Sequence, residues 1–153
     1  MTPTTPATPS PLQQLLSRAS RAGIYHLPDG LRRNLSDTCA GLGFSLLSSD
    51  LRETTVIGTA LRTLGEDLDF PEWYGANFDA LADCLTDLSW NDAPGYVLTI
   101  HGADALHAAD PAAFATLNAV FAEVIGEWTQ RNIPFWVFYD LHADGLAPLP
   151  TLA

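Results

Sequence analysis

The amino-acid sequence predicts an α/β protein in which a small parallel β-sheet is covered by helices. Two observations carry this prediction. Strand and helix patterns alternate along the chain, and the last strand pattern, IPFWVFY at 133–139, is apolar on both faces. Alternating strands and helices form parallel sheets through right-handed crossovers, and such sheets are buried on both sides. With 153 residues, 47% of them hydrophobic, the chain can fill one sizeable core.

Four short segments have strand character, because each is an apolar run bounded by turn residues. These segments are residues 23–28, 43–48, 96–100 and 133–139. Pro28 stops the first segment, and the turn NDAPG at 91–95 precedes the third. We expect the strands to be joined through helices.

Helical signals fill the spaces between these strands. The candidate helices are residues 12–22, 31–40 and 54–68, the segment from Gly75 to the turn at 91, and a long helix from Asp110. Gly23 closes the first helix, and the pair Phe70-Pro71 breaks the third. Asp110-Pro111 is typical of a helix start, with Asp at the N-cap and Pro in the first turn.

The chain divides by composition into four parts. Residues 1–11 alternate Thr, Ala and Pro, which predicts a disordered tail. Residues 12–42 are interpreted as a helix-strand-helix extension that packs on the core. Residues 43–140 form the main domain, and 141–153 a C-terminal tail.

The charge is lopsided and restricts the partners. The chain has 18 acidic residues against 7 basic ones, and residues 63–153 hold 14 of these acids but one arginine, a formal charge of −13. Such a field repels phosphates and anionic lipids and speeds encounter with cationic surfaces. We therefore expect no direct nucleic-acid or membrane ligand, and a basic protein as partner. Surface acid that only keeps the protein in solution is the alternative.

Cys39 and Cys84 are the only cysteines, and no CxxC motif or Cys/His cluster at metal-ligand spacing is present. This favours a reduced, cytoplasmic protein with structural cysteines and without a metal or cofactor. The start, MTPTTPATPSP, lacks the basic and apolar regions of a signal peptide, and the longest apolar run is too short to span a bilayer.

The helix after Gly75 lines up three like charges. At about 100° per residue, one side is apolar; its residues are Phe78, Leu81, Leu85 and Leu88. Asp79, Asp83 and Asp87, each four residues from the next, fall almost opposite. Each such like-charge pair destabilises a helix by roughly 0.2–0.5 kcal/mol. The pattern indicates either an ordinary solvated face or a surface that a partner's cations neutralise.

The loop before this helix carries two adjacent aromatic residues, Trp73 and Tyr74. Because the two rings of such a pair cannot readily enter one core together, one of them is expected to be exposed beside the aspartates. An exposed aromatic next to carboxylates has the chemistry of a protein-interface hot spot. Both rings covering the edge of the core is the alternative.

The segment FPEWYGANFDALADCLTDLSW closely resembles the signature of the barstar family, the intracellular inhibitors of barnase-type ribonucleases. In that signature a Pro-Glu-aromatic-aromatic-Gly loop leads into an asparagine, an aspartate and an Asp-Cys-Leu-Thr run. The order of strands and helices over residues 43–140 also resembles this family, whose members have a small parallel sheet with packed helices. The resemblance is most specific over residues 70–90.

The resemblance implies that the chain is an immunity protein rather than an enzyme: it plugs the active site of a basic extracellular-type ribonuclease. The loop aromatic of the family falls on Trp73, and the helix carboxylates fall on Asp79 and Asp83. Asp83 would occupy the place of an RNA phosphate. The remaining expected partner-binding residues are Tyr74, Asn77, Phe78, Thr86 and Asp87.

Two positions depart from the family pattern. The family's type member has a tryptophan in the helix where this chain has Ala82, and a contact glutamate where the chain has Ala115. These differences bear on which partner is bound. A barstar-like module with a partner other than a ribonuclease therefore stays open, as does an enzyme that uses Asp79, Asp83 and His101 for metal binding or acid/base chemistry.

Overall fold

The computed structural model of the chain describes residues 10–27 and 29–140. Within them, four strands form one sheet in the order β1-β4-β3-β2, and every neighbouring pair is parallel. The strands are β1 (Ile24–His26), β2 (Ser45–Asp50), β3 (Tyr96–His101) and β4 (Phe135–Tyr139). The α/β fold with a small parallel sheet is thus confirmed.

Six α-helices and one 3₁₀ turn, Ala19–Arg21, occur in the described ranges. The helices are α1 (Pro11–Leu16), α2 (Asp29–Leu42), α3 (Ile57–Asp67), α4 (Phe78–Asp87), α5 (Asp104–Ala109) and α6 (Pro111–Gln130). The start of α6 follows the expected chemistry, because Asp110 Oδ1 accepts a hydrogen bond from Ala113 N at 3.0 Å and Pro111 takes the first turn.

The position of β4 between two packed layers explains why its sequence is apolar throughout. All five of its residues are buried. Phe135, Val137 and Tyr139 join the larger core with residues of α3, α4 and α6. Trp136 and Phe138 point the other way, into a smaller core with α1 and α2. A strand with packed layers on both faces has no solvent face to leave polar.

Residues 10–43 complete this second layer. Strand β1 pairs with β4, and Leu16, Leu35 and Cys39 pack with Trp136. The tail predicted for 1–11 lies outside the described residues as far as residue 9, whereas Pro11 begins α1 with Ser10 as its cap. The C-terminal tail at 141–153 also lies outside them. The division of the chain at residue 42 stays a prediction.

Three details of the expected elements are wrong. The helix expected over 12–22 ends at Leu16, whose carbonyl accepts a hydrogen bond from the Trp136 indole at 2.9 Å. Helix α2 continues through Gly41 and ends before Gly43, whose φ of 73° suits glycine. Helix α5, six residues long, was not expected, since such a short segment shows little periodicity. No helix in the described ranges is long and apolar enough to cross a membrane.

Candidate protein-interaction surface

Asn77 fixes where α4 begins. Its backbone is extended, with φ −129° and ψ 172°, and its side-chain Oδ1 accepts a hydrogen bond from Ala80 N at 2.7 Å. Asn77 is therefore the N-cap of α4, and it satisfies one of the free backbone donors of the first turn. The cap therefore sets the positions of the aspartates that follow.

The apolar side of α4 sets the rotation of the helix. Leu81, Cys84 and Leu85 are fully buried, and Phe78 is half-buried against the same core. The indole Nε1 of Trp128, on α6, donates to Leu85 O at 2.7 Å. With one side held in this way, the opposite side of α4 must face the solvent.

Asp79, Asp83 and Asp87 all lie on that exposed side. In the described part of the chain, the ion pairs lie elsewhere and no arginine or histidine is within 4.0 Å of their carboxylates. Asp79, in the first turn, is favoured by the helix dipole, whereas Asp87 in the last turn is not. Among the described residues, no cation therefore relieves the mutual repulsion of the three charges.

One backbone and one side-chain hydrogen bond close the end of α4. Leu88, left-handed with φ 45°, donates its N–H to Cys84 O, and the Arg131 guanidinium Nη1 donates to Thr86 O at 2.8 Å. The Thr86 hydroxyl donates to Ala82 O at 2.7 Å. Since Thr86 is half-buried and its hydroxyl hydrogen is engaged, the side chain can offer a partner a methyl group and an acceptor oxygen.

The two loop aromatics take opposite orientations, as expected. Trp73 is 58% exposed. Tyr74 turns inward, where its hydroxyl donates to Leu61 O at 2.8 Å and its ring meets Phe70 edge-on at 4.8 Å. Burial raises the pKa of the Tyr74 phenol to about 12. The buried tyrosine thus anchors the loop that presents the exposed indole.

Gly65 has a role here that no sequence pattern indicates. A Cβ at this position of α3 would lie 2.6 Å from ring carbons of Tyr74. Any side chain at residue 65 would therefore displace the Tyr74 ring from its packed position against α3. The close packing of ring on helix backbone depends on glycine at that point.

Two further features near the loop were not predicted from the sequence: the exposure of Trp90 and a groove beside α3. Trp90 is 39% exposed and meets Phe70 edge-on at 6.3 Å. The lining of a groove between α3 and the loop includes one basic residue, Arg62, and three acidic ones, Glu66, Asp69 and Glu72.

His101 does not join the aspartates of α4. It ends β3, where Nε2 lies 3.2 Å from Ser48 Oγ and Nδ1 lies 3.5 Å from Asp140 Oδ2. Asp140 Oδ1 also accepts from Gly102 N at 3.0 Å. In the described residues, no three His, Cys, Asp or Glu side chains are grouped to hold a metal ion. The arrangement that the enzyme alternative requires is absent from this part of the chain.

Both cysteines are buried thiols, as expected for structural residues. Cys39 packs in the smaller core and Cys84 lies at the buried side of α4. Burial raises the pKa of each thiol to about 11; for Cys84 the charges of Asp83 and Asp87 add to this effect. Neither thiol is a reactive group at neutral pH.

The fold and this surface together define a small α/β domain with an exposed aromatic residue, Trp73, in the loop before an acidic helix. The chain belongs to the barstar family: the family model described as "Barstar (barnase inhibitor)" matches residues 44–140. This family is one of inhibitors and not of enzymes.

A relative from Bacillus subtilis (strain 168), named "Putative ribonuclease inhibitor YrdF", is 58% identical over 31 residues. These residues are 20% of this chain, and the match spans about a third, 32%, of the length of the relative.

Proposed function

We propose that the chain binds a basic, barnase-type ribonuclease and inhibits it by covering its active site with α4 and the loop before it. The observation that carries this proposal is the row of three exposed aspartates on α4 without a cation partner in the described part of the chain. The chain's membership of the barstar family, whose description is "barnase inhibitor", supports the proposal.

The proposed chemistry is imitation of RNA phosphate by carboxylates. A ribonuclease active site holds cationic side chains for the phosphates of its substrate, and carboxylates accept charge-assisted hydrogen bonds from the same groups. Asp83, between Asp79 and Asp87, would take the phosphate position. Binding then relieves the like-charge repulsion along α4, so that a local cost of the free protein becomes a gain in the complex.

The remaining residues have supporting roles in this proposal. Trp73 is the exposed anchor that packs on the partner, and aromatic residues are enriched among interface hot spots. Tyr74 and Phe78 hold the loop and the helix start against the core. Asn77 and Thr86 lie at the two ends of the contact edge.

The partner need not be barnase itself, because two edge positions of the surface are small. Ala82 is half-buried on α4 and Ala115 is exposed near the start of α6, where the resemblance implies a tryptophan and a glutamate. A related ribonuclease that fills these places from its own side fits best. Another basic protein is the alternative partner. In the cytoplasm of a cell that makes the nuclease, the chain would act as its immunity protein.

An RNA-cleavage assay tests the proposal. The protein is titrated into barnase and a panel of other basic microbial ribonucleases. We expect stoichiometric inhibition of at least one, lost with Asp83→Asn and kept with Glu123→Gln, which removes one exposed charge from α6. Absence of inhibition across the panel, or equal inhibition by both variants, would contradict the proposal.

A further inference from the structure

We propose that Arg131 is a positioning residue for the inhibitory surface: its guanidinium holds the last turn of α4 in the conformation that a partner meets. The effect on inhibition rests on the proposed function, whereas the holding of α4 is a property of the free protein. Arg131 follows the end of α6 and is the single arginine or lysine of residues 63–153.

The last turn of α4 finds hydrogen-bond donors outside the helix. The final four carbonyls of an α-helix have no donor within it. In α4, the Trp128 indole Nε1 donates to Leu85 O at 2.7 Å, and Arg131 Nη1 donates to Thr86 O at 2.8 Å. Two of the four carbonyls therefore depend on side chains at the end of α6, which are 43 and 45 residues away along the chain.

The Arg131 guanidinium is itself held in place by a second contact. Its Cζ lies 4.5 Å from the centroid of the Trp128 ring, and that ring is buried beside Tyr96, at a centroid distance of 4.9 Å. An arginine can stack on an aromatic face while its edge donates hydrogen bonds. The Arg131 N–H also donates to Trp128 O at 3.0 Å, which fixes the backbone from which the side chain extends. The guanidinium is thus placed between a buried ring and the end of α4.

This position suits a cation because α4 supplies none of its own. The last turn of α4 has no basic residue and ends on Asp87. A positive charge is favourable at the C-terminal end of a helix, where a carboxylate is unfavourable. None of the ion pairs in the described residues joins Arg131 to Asp87. Arg131 therefore stabilises the turn and leaves the carboxylate to a partner's cation.

A held turn favours binding because a surface that is already ordered loses less conformational freedom in the complex. Asp87 lies in this turn and Asp83 directly before it. If the turn frayed, the two carboxylates would spread over several conformations, of which few would match a rigid active site. Arg131 thus acts on inhibition through the aspartates and needs no contact of its own with the partner.

Amide hydrogen exchange in the free protein tests this role without a ribonuclease. We expect Arg131→Gln to speed exchange of the backbone amides of residues 86–88 about fivefold, and the control Arg33→Gln to leave it unchanged. Arg33 is exposed on α2, which packs on the other face of the sheet, and its replacement removes the same charge. Unchanged exchange in Arg131→Gln would overturn the proposal.

A second control separates the held turn from overall stability. Ala119→Gly, inside α6, lowers the stability of the whole domain. It should leave exchange at residues 86–88 unchanged, because the end of a helix exchanges through local opening. Equal acceleration by Ala119→Gly and Arg131→Gln would overturn the proposal, since the turn would then open only with the whole domain.

The variant Arg131→Lys tests the geometry of the guanidinium. Lysine keeps the positive charge but lacks the planar group that stacks on a ring and donates at the same time. We expect it to recover at most about half of the protection that Arg131→Gln loses. Full recovery with lysine would overturn the proposal, because a point charge alone would then hold the turn.

The ribonuclease that the wild-type protein inhibits provides the last measurement. We expect Arg131→Gln to raise the dissociation rate of the complex about fivefold without lowering the association rate, because loss of a cation leaves the surface more negative. A dissociation rate equal to that of Arg33→Gln would overturn the proposal. If the wild-type protein inhibits no ribonuclease, the proposed function fails by itself, and the exchange measurements still decide whether Arg131 holds α4.

Discussion

Replacing Asp83 by asparagine should stabilise the free protein while it abolishes inhibition. Asp83 has a like charge four residues away on each side, Asp79 and Asp87, and no cation partner in the described chain. Each such pair costs roughly 0.2–0.5 kcal/mol, so removal of the central charge relieves about 0.4–1 kcal/mol at low ionic strength. Asparagine and aspartate have similar helix propensities, so little else changes.

The two flanking aspartates provide an internal calibration. Asp87→Asn relieves one pair and the unfavourable dipole at the end of α4, a gain of roughly 0.5–1.5 kcal/mol. Asp79→Asn also relieves one pair, but it loses about 0.3–1 kcal/mol of favourable dipole interaction in the first turn, so we expect little or no gain. The direction of α4 alone predicts that Asp87→Asn stabilises the protein more than Asp79→Asn does.

Urea unfolding at low ionic strength measures these differences in the free energy of unfolding. The same experiment in about 1 M salt should reduce the gains strongly, because the screening length falls to roughly 3 Å. Inhibition is measured in parallel with the RNA-cleavage assay. If Asp83→Asn destabilised the free protein, or if its gain were unaffected by salt, the charge argument for α4 would be refuted.

Three further predictions concern the scaffold. Ala76→Gly should leave the free energy of unfolding unchanged or raise it by up to about 1 kcal/mol, because Ala76 has a φ of 52°; the control Ala119→Gly, inside α6, should lower it by about 1 kcal/mol in urea unfolding. Asn77→Ala should cost about 1 kcal/mol in the same assay, since it removes the cap of α4. The free energy of unfolding should fall between pH 9 and 11, where the unfolded chain releases thiol protons that buried Cys39 and Cys84 keep, and the double Cys→Ala variant should show a flatter profile.

Much of the fold could be predicted because its signals are local. The N-cap aspartate of α6, Asp110, and the doubly apolar β4 depend on residues close in the chain, and both were predicted correctly. The end of α1 could not be predicted in this way. The end of α1 involves a bond from Trp136, 120 residues away from Leu16.

The candidate surface also has some features set by local sequence and others set by contacts between distant segments. The spacing of the aspartates follows from the sequence, because helix periodicity determines it. For the two loop aromatics the sequence predicted one exposed ring and left open that both cover the edge of the core. Which ring turns inward cannot be read from local sequence. The Tyr74 side chain is held by contacts with Leu61 O, Phe70 and the backbone at Gly65.

By itself, the sequence determined the class of fold and the row of acids on α4. Only the tertiary structure decided that Trp73 faces out, that His101 lies beside Asp140 and that the acids near the end of α3 border a groove. The physical reason is the distance along the chain over which each interaction acts. Periodicity and capping act within a few residues, whereas exposure and charge pairing depend on which distant segments the fold brings together.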